Sequence, residues 1–297
     1  MSVLAVIPSM SSARGPALKA TVSDLTSLGF TVRIVANSRS LADWLGANGV
    51  DYISDGVNSG FGSSIMKGVE ASPSCSWILI LNDDVKVDDS ALLNIHDDLA
   101  VLPPKVGMAY LDQEPDRSIP GAVEVFHGLS LLSVATRRLP TFRDRALSPA
   151  NEAANGTYKS FSAVFIRHEV WDELSGFNRD MPFTYEDADF VRRASLAGYD
   201  SVTFVTHGFS HEHSASTKSN IDTVLPVMTW SARAYLTKWS GLSRWTITAL
   251  LVSALLLRLL ILPFSTAPVY KHYVGVRTAL ISLLRSEQPL LPKFDAN

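Results

Sequence analysis

Cysteine is almost absent. Cys75 stands alone in 297 residues, so no intrachain disulfide can form, a reducing compartment suits the chain, and Cys75 is expected simply to pack. Strong charge of either sign is missing too. The formal net charge is −3 and the isoelectric point is near 6.2, which argues against a nucleic-acid partner, because phosphate-tracking surfaces are basic. The segment Met1 to Pro8 has no basic n-region and its apolar run is too short for a signal peptide, so it reads as a buried strand and the chain is expected in the cytoplasm. There is no Walker loop, zinc-protease helix or nucleophilic-serine elbow, and no internal repeat or low-complexity tract. A hydrophobic content of 46% is enough to bury a full core and excludes disorder as the overall state.

Apolar runs alternate with turn residues from the start. Residues 3–7 are a β-prone run, 16–28 suit a helix, and 31–35 form a second strand closed by Asn37-Ser38, which makes a βαβ opening. Residues 41–48 fit a short helix, 51–54 a short strand, and 60–71 a helix entered through a glycine-rich turn. Trp77 to Leu81 has the length and composition of a fully buried parallel strand. A helix is expected over 87–102, stopped by Pro103-Pro104. Strands follow over 106–111, 160–166 and 201–205, with helices over 168–174 and 186–197; residues 112–155 read as a loop-rich insertion. The alternation predicts an α/β domain over residues 1–219 with right-handed crossovers.

The tail over 220–297 differs in kind. From Trp230 onward, Arg233, Lys238, Arg244, Arg258, Lys271, Arg277, Arg285 and Lys293 face only Glu287 and Asp295, a net of +6 that leaves −9 for the rest. Residues 246–262 are apolar on nearly every side except at Arg258. Such a helix rises about 25 Å, short of the roughly 30 Å hydrocarbon core, and Arg258 would have to snorkel. Lys271, Arg277 and Arg285 share one side of the next segment, a pattern that suits a helix lying on an anionic leaflet. Three readings stay open: a tail on the membrane surface, a tail packed on the core or on a second copy in a homo-oligomer, and a true span.

Asn82-Asp83-Asp84 follows the Trp77 to Leu81 run, and in open α/β sheets ligands gather at the carboxyl ends of strands. Hard oxygen donors of this kind suit Mg²⁺ or Mn²⁺. In an extended backbone, Asn82 and Asp84 project to one side to share an ion and Asp83 to the other, towards a ribose hydroxyl. The same triplet is also ordinary turn or helix-cap chemistry. Asn58-Ser59-Gly60-Phe61-Gly62, with Lys67 beyond, leads into a helix; glycines there allow close backbone approach and free N–H groups favour anions, although a plain turn reads the same way. Glu186-Asp187-Ala188-Asp189 opens the helix that ends at Gly198, where the helix dipole favours carboxylates. Asp189 and Arg193 are four apart and can pair. That leaves Asp187 as the candidate general base. His207, His211 and His213 read as surface residues or, for His211, as a further ligand beside Asp84.

Taken in order, Asn58 to Phe61, Asn82 to Asp84, Gly176-Phe177-Asn178, Glu186 to Asp189 and His211 resemble glycosyltransferase family 2, the inverting GT-A group. Within it the chain is most similar to rhamnosyltransferase-like and galactofuranosyltransferase-like bacterial members. The resemblance runs from residue 3 to about 216. It implies a Rossmann-like mixed sheet flanked by helices, with a C-terminal helical membrane-associating appendage. It also implies transfer of a sugar of rhamnose or galactofuranose type from a dTDP- or UDP-linked donor to a lipid-linked or polysaccharide acceptor. Such transfer would serve cell-envelope glycan synthesis at the cytoplasmic face of the membrane.

The same resemblance assigns roles. Asp84, with Asn82 or Asp83, would hold Mg²⁺ or Mn²⁺, and His211 would be a further ligand. Asp187 would be the base, with Glu186 beside it on the acceptor side. Pro8, Asn37, Asn58, Gly60, Phe61, Lys67 and Asp83 would line the donor nucleotide. Arg137, Arg138, Arg143 and Arg145 of the insertion would face the acceptor or the donor phosphates, and Trp171 and Phe177 either support the acceptor or pack. Ala36 stands where members commonly carry Asp, Asn82 replaces the first Asp of a strict DxD motif, and Ile65-Met66 occupies a place often held by Asn. These departures keep open a catalytically silent relative that binds a sugar nucleotide or a partner. A nucleotidyltransferase would need a basic glycine-rich loop after the first strand, and residues 9–15 offer only Arg14.

Overall fold

Strand β1 (Val3–Ser9) is buried along its whole length and pairs in parallel with β2 (Thr31–Ala36) on one side and β4 (Trp77–Leu81) on the other. The computed structural model describes residues 1–87, 92, 94–111, 115–132, 157–204, 209–211, 220–264 and 268–291. Beyond β2 lies β3 (Tyr52–Ile53), also parallel. Strand β9 (Ala163–Arg167) runs antiparallel to both β4 and β6 (Val106–Leu111), and β10 (Asp200–Phe204) forms the far edge, parallel to β6. The order β10-β6-β9-β4-β1-β2-β3 makes one mixed seven-stranded sheet. Two small antiparallel pairs flank it: β5 (Val85–Val87) with β11 (Phe209–His211), and β7 (Arg117–Ser118) with β8 (Thr157–Tyr158).

Strand alternation divides the core in two. Val3, Ala5 and Ile7 face a layer built from α1 (Gly15–Ser27), α2 (Arg39–Ala47) and α4 (Ile95–Ala100). Leu4 and Val6 face α3 (Phe61–Glu70), α5 (Ala122–Ser130), α6 (His168–Glu173) and α7 (Glu186–Leu196). Gly68 lets α3 press onto β1, since a Cβ there would lie 2.4 Å from Val6 Cγ1. The expected α/β architecture is therefore present.

Two local expectations change. A helix was expected from residue 87, but 85–87 form β5 because they pair with 209–211, a partner more than a hundred residues away. Among the described residues a helix, α4, occupies 95–100. Residues 82–84 are not extended either: β4 ends at Leu81, and Val85 N–H donates to Asn82 O (3.2 Å), so the backbone turns there. The insertion holds α5 and β7, which pairs with β8 just beyond it, while Arg137, Arg138, Arg143 and Arg145 lie outside the described residues, as do His207, His213 and Lys293.

The tail helices α8 (Ile221–Trp239), α9 (Arg244–Ile261) and α10 (Val269–Arg285) share the apolar cluster that holds Trp171 and Phe190. Helix α8 packs along α10, and α9 lies on α5. Arg258 does not snorkel. It is buried, with Nη1 donating to Leu129 O (2.7 Å) and Nε to His272 Nδ1 (3.0 Å). The opposite side of α9 carries exposed Trp245, Leu256 and Leu260, the first of them 85% exposed. Among the described residues α9 is the one helix long and apolar enough to cross a membrane, with mean hydropathy 1.7.

Candidate active site

The carboxyl ends of β1, β2 and β4 converge with two loops. Pro8 lies buried in register with Val35, a sheet position next to the β1 end rather than a free edge. Asn37 N–H donates to Ser9 O (2.8 Å), and its side-chain oxygen accepts from Ser64 Oγ (2.9 Å) and Ser59 Oγ (3.3 Å). Asn37 thus ties the end of β2 to the entrance of α3. Asn58 Oδ1 accepts from Gly60 N–H (2.9 Å), an Asx turn. Phe61 turns towards Phe177 (ring centroids 6.5 Å apart), and Lys67 pairs with Asp55 on the outer side of α3.

The 82–84 turn gathers oxygen atoms. Ser9 Oγ donates to Asp83 Oδ2. Burial raises the Asp83 pKa above the ordinary carboxylate range and the Asp84 charge adds to this, opposed by the Ser9 hydrogen bond and the nearby Arg14 cation. Asn82 Oδ1 is buried with no hydrogen-bond partner in the protein, an unfilled acceptor of the kind a cation would satisfy. Pairing of β5 with β11 sets His211 opposite Val85, one residue from Asp84. Only the backbone of His211 is among the described residues. No group of three or more His, Cys, Asp or Glu side chains is assembled for a metal among the described residues.

The second half of the site is the start of α7. Gly60 has φ +84°, and a Cβ on it would lie 2.4 Å from Pro182 O, so the glycine loop presses against the segment leading into that helix. Thr184 (φ +70°) and Tyr185 (φ +67°) are both left-handed, which for a β-branched residue is a genuine outlier that its surroundings must enforce. Those surroundings are visible. Tyr185 stacks on Tyr235 (5.3 Å, 29°), and Phe183 N–H donates to Ser231 Oγ (3.4 Å). The effect is to fix the angle at which the first turn of α7 emerges.

Three carboxylates on that turn have three fates. Asp189 is fully buried, with Oδ2 accepting from Arg193 Nε (2.8 Å) and Oδ1 from Lys238 Nζ (2.7 Å) and Trp239 Nε1 (2.9 Å). Arg193 also donates to Leu174 O (2.6 Å) and Gly176 O (2.8 Å). Glu186 is buried with Oε2 unpartnered; burial first and the Asp187 charge second push its pKa well above the usual range. Asp187 is less buried, and its Oδ1 accepts from Ala188 N–H (2.7 Å). Of the Glu186–Asp187 pair, Glu186 is therefore the member whose surroundings favour the proton.

Tyr110, Tyr158, Tyr185 and Tyr235 surround this pair closely enough for the Asp187 charge to oppose their ionisation, in addition to burial. Sequence reasoning did not single out any of the four. The signal for Tyr185 was its place beside Glu186, and for Tyr110 its place near the end of β6; Tyr158 and Tyr235 arrive from β8 and the tail, with no local signature. Trp171 and Phe177 are buried in an aromatic cluster with Phe161 and Phe190, behind α7. A cavity of about 540 Å³ at the amino end of β6, lined by Lys105, Tyr199 and Ser201, contains none of the candidate site residues.

No family model matches the chain, and no curated protein matches it. Among solved structures it is similar to the mannosyltransferase PcManGT from Pyrobaculum calidifontis, solved with GDP-Man and Mn²⁺, at TM-score 0.51 and 10% identity over 96% of this chain and 86% of that one. That likeness is one of fold: the seven-stranded sheet and its helices have the GT-A arrangement. Weaker similarities are to glucosyl-3-phosphoglycerate synthase from Mycobacterium tuberculosis (TM-score 0.48, 10% identity, 80% of this chain and 79% of that one) and to TarS residues 1–349 from S. aureus (0.45, 10%, 97% and 92%).

Proposed function

We propose that the protein is an inverting, metal-dependent glycosyltransferase. It would move a sugar of rhamnose or galactofuranose type from a dTDP- or UDP-linked donor to a lipid-linked or polysaccharide acceptor, in envelope glycan synthesis at the cytoplasmic face of the membrane. The observation that carries this reading is the contact of the glycine loop with the segment that leads into Glu186-Asp187. The Asn58 to Gly60 loop abuts Pro182, just before Glu186-Asp187, while the β5–β11 pair joins the 82–84 turn to the His211 strand. The fold likeness to a mannosyltransferase solved with GDP-Man and Mn²⁺ agrees with it.

The residues at the turn fit a hard divalent ion. Asn82 supplies an unfilled buried acceptor and Asp84 a carboxylate, and His211, whose strand pairs with 85–87, would be the third donor. When bound, Mg²⁺ or Mn²⁺ would supply charge neutralisation for the departing nucleoside diphosphate. Asp83, held by Ser9, would meet the ribose, and the α3 entrance would approach the diphosphate through backbone N–H groups. Asp187 would accept the proton of an acceptor hydroxyl as that oxygen bonds to the anomeric carbon and the bond to the diphosphate oxygen breaks on the opposite face. Glu186 Oε2 and Thr184 Oγ1, both buried atoms without a hydrogen-bond partner, would offer polar contacts for acceptor hydroxyls.

Catalytic residues and donor binding are separable by experiment. Asp187→Asn is expected to reduce turnover by about 10²–10⁴-fold while leaving donor affinity unchanged. A donor-dependent thermal shift, lost with EDTA, is expected for at least one of a panel of UDP- and dTDP-sugars. No shift with any donor would sink the proposal. A shift without transfer to any membrane acceptor, indifferent to Asp187→Asn, would favour the silent sugar-nucleotide-binding relative.

A further inference from the structure

Two guanidinium groups of the tail meet at one hydroxyl. Arg233 Nη2 (3.3 Å) and Arg244 Nη2 (3.1 Å) both donate to Ser286 Oγ. Arg233 lies over the ring of Trp230 (5.4 Å), and its Nη1 is buried with no hydrogen-bond partner. Among the described residues neither arginine makes an ion pair. Cations drawn together without a counter-ion repel each other. An arginine fork with an unused buried donor is the geometry that a phosphate oxygen satisfies. Ser286 holds φ +55° at the end of α10, where glycine is the usual residue, so a strained position is occupied by a side chain that contributes a hydroxyl. Burial and the neighbouring Arg244 charge also lower the Arg233 pKa, consistent with an uncompensated pair.

The surroundings favour a phosphate carried on a lipid over a free one. Trp245 directly follows Arg244 and begins the exposed apolar stripe that continues through Leu256 and Leu260 (71% exposed) on the outer face of α9. Spacings of eleven and four residues keep these three on one side of the helix, over a rise of about 22 Å. Leu290, just past Ser286, is also exposed. We propose that Arg233, Arg244 and Ser286 form a binding site for the phosphate group of a lipid whose apolar part lies against the α9 stripe. The site rests on the membrane-facing reading of α9, and lipid binding there can be measured without sugar transfer.

The test uses the full chain with vesicles of phosphatidylcholine alone or mixed with phosphatidylglycerol, read by co-sedimentation, and inorganic pyrophosphate read by calorimetry. The double variant Arg233→Gln/Arg244→Gln is expected to bind the anionic vesicles about thirty-fold more weakly than the wild type. A control with the same charge removed elsewhere, Lys19→Gln/Lys105→Gln, is expected to bind like the wild type. Equal losses in the two double variants would show diffuse attraction and overturn the site. Equal wild-type binding to both vesicle types would overturn it while leaving the membrane-facing helix standing. Binding to no vesicle would refute the membrane-facing reading itself. In that case, pyrophosphate binding lost in Arg233→Gln/Arg244→Gln would reassign the cluster to a soluble phosphate, and none would leave no anion site. Circular dichroism of each variant checks that folding is intact.

Discussion

Replacing Asp189 with Asn keeps the side-chain shape while removing its charge and one acceptor. The native carboxylate is fully buried and serves three donors: Arg193 Nε on Oδ2, and Lys238 Nζ with Trp239 Nε1 on Oδ1. An asparagine keeps its oxygen towards the pair of donors and turns its NH₂ on Arg193 Nε, so one donor–donor contact results. Arg193 retains Leu174 O and Gly176 O, which limits the damage. Breaking a buried pair outright costs about 3–5 kcal/mol. Lys238 is 34% exposed, so its share is closer to the sub-kilocalorie value of a surface pair. With one side of the network preserved, the expected loss is about 2–3 kcal/mol. In a chain of this size that lowers Tm by about 3–5 °C.

Urea unfolding of Asp189→Asn, Trp239→Phe and the double variant measures both the loss and the coupling. Non-additivity above about 0.5 kcal/mol is expected, because the two residues share a hydrogen bond. The turnover number should fall with donor affinity unchanged, since Asp187 lies two residues from the altered anchor. A loss for Asp189→Asn within 0.5 kcal/mol of zero, or strict additivity with Trp239→Phe, would refute the idea that the tail holds α7 through this carboxylate.

Gly60→Ala is expected to cost at least about 2 kcal/mol in chemical denaturation, because the position combines a left-handed φ with a 2.4 Å approach to Pro182 O. His272 Nδ1 accepts from Arg258 and so must be unprotonated; burial and the Arg258 charge lower its pKa to about 4. The unfolded chain takes up that proton near pH 6.5 while the folded chain resists. The contribution is therefore complete above pH 6.5 and is lost as pH falls towards 4, by at most ~3 kcal/mol; His272→Gln should flatten this dependence, and an unchanged profile would contradict it. Glu186 shifts the other way: its raised pKa gives stability that is full at low pH and lost as pH rises beyond the ordinary carboxylate range. Glu186→Gln should remove that loss and leave the variant at least as stable as the wild type at pH 7.

Local patterns were legible where local forces decide. The buried strands at Trp77 to Leu81 and at 106–111 appear at the expected residues, because a continuous apolar run flanked by turns has few other stable states. Pairing of Asp189 with Arg193 followed from their spacing. What spacing cannot disclose is a partner from far along the chain. Lys238 and Trp239 complete the Asp189 site from about fifty residues away, and β5 replaces an expected helix because β11 is available to pair. Arg258 had a reason to snorkel as long as α9 was considered alone; the Leu129 carbonyl and His272 give it a polar refuge inside. The left-handed pair Thr184-Tyr185 contains no glycine to announce it. The stacking of Tyr185 on a tail tyrosine and the hydrogen bond from Phe183 N–H to Ser231 hold it in place.

Helix α8 joins these two sets of observations. Its Ser231, Tyr235, Lys238 and Trp239 grip α7 and the segment before it, through a hydrogen bond to Phe183 N–H, a ring stack and two donors on Asp189. Its flank packs along α10, while α9 is pinned to α5 by Arg258. An apolar outer surface on α9 is thus separated from Asp187 by packed helices and hydrogen bonds rather than by a flexible linker. If α9 lies on a membrane and Asp187 is the base, as proposed, the orientation of that base relative to the surface follows from the packing. A lipid-linked acceptor would then need only one spacing between its phosphate and its reacting hydroxyl to meet both Arg233 and Asp187. On that proposal the tail would contribute to choosing the acceptor as well as to placing the site at the membrane.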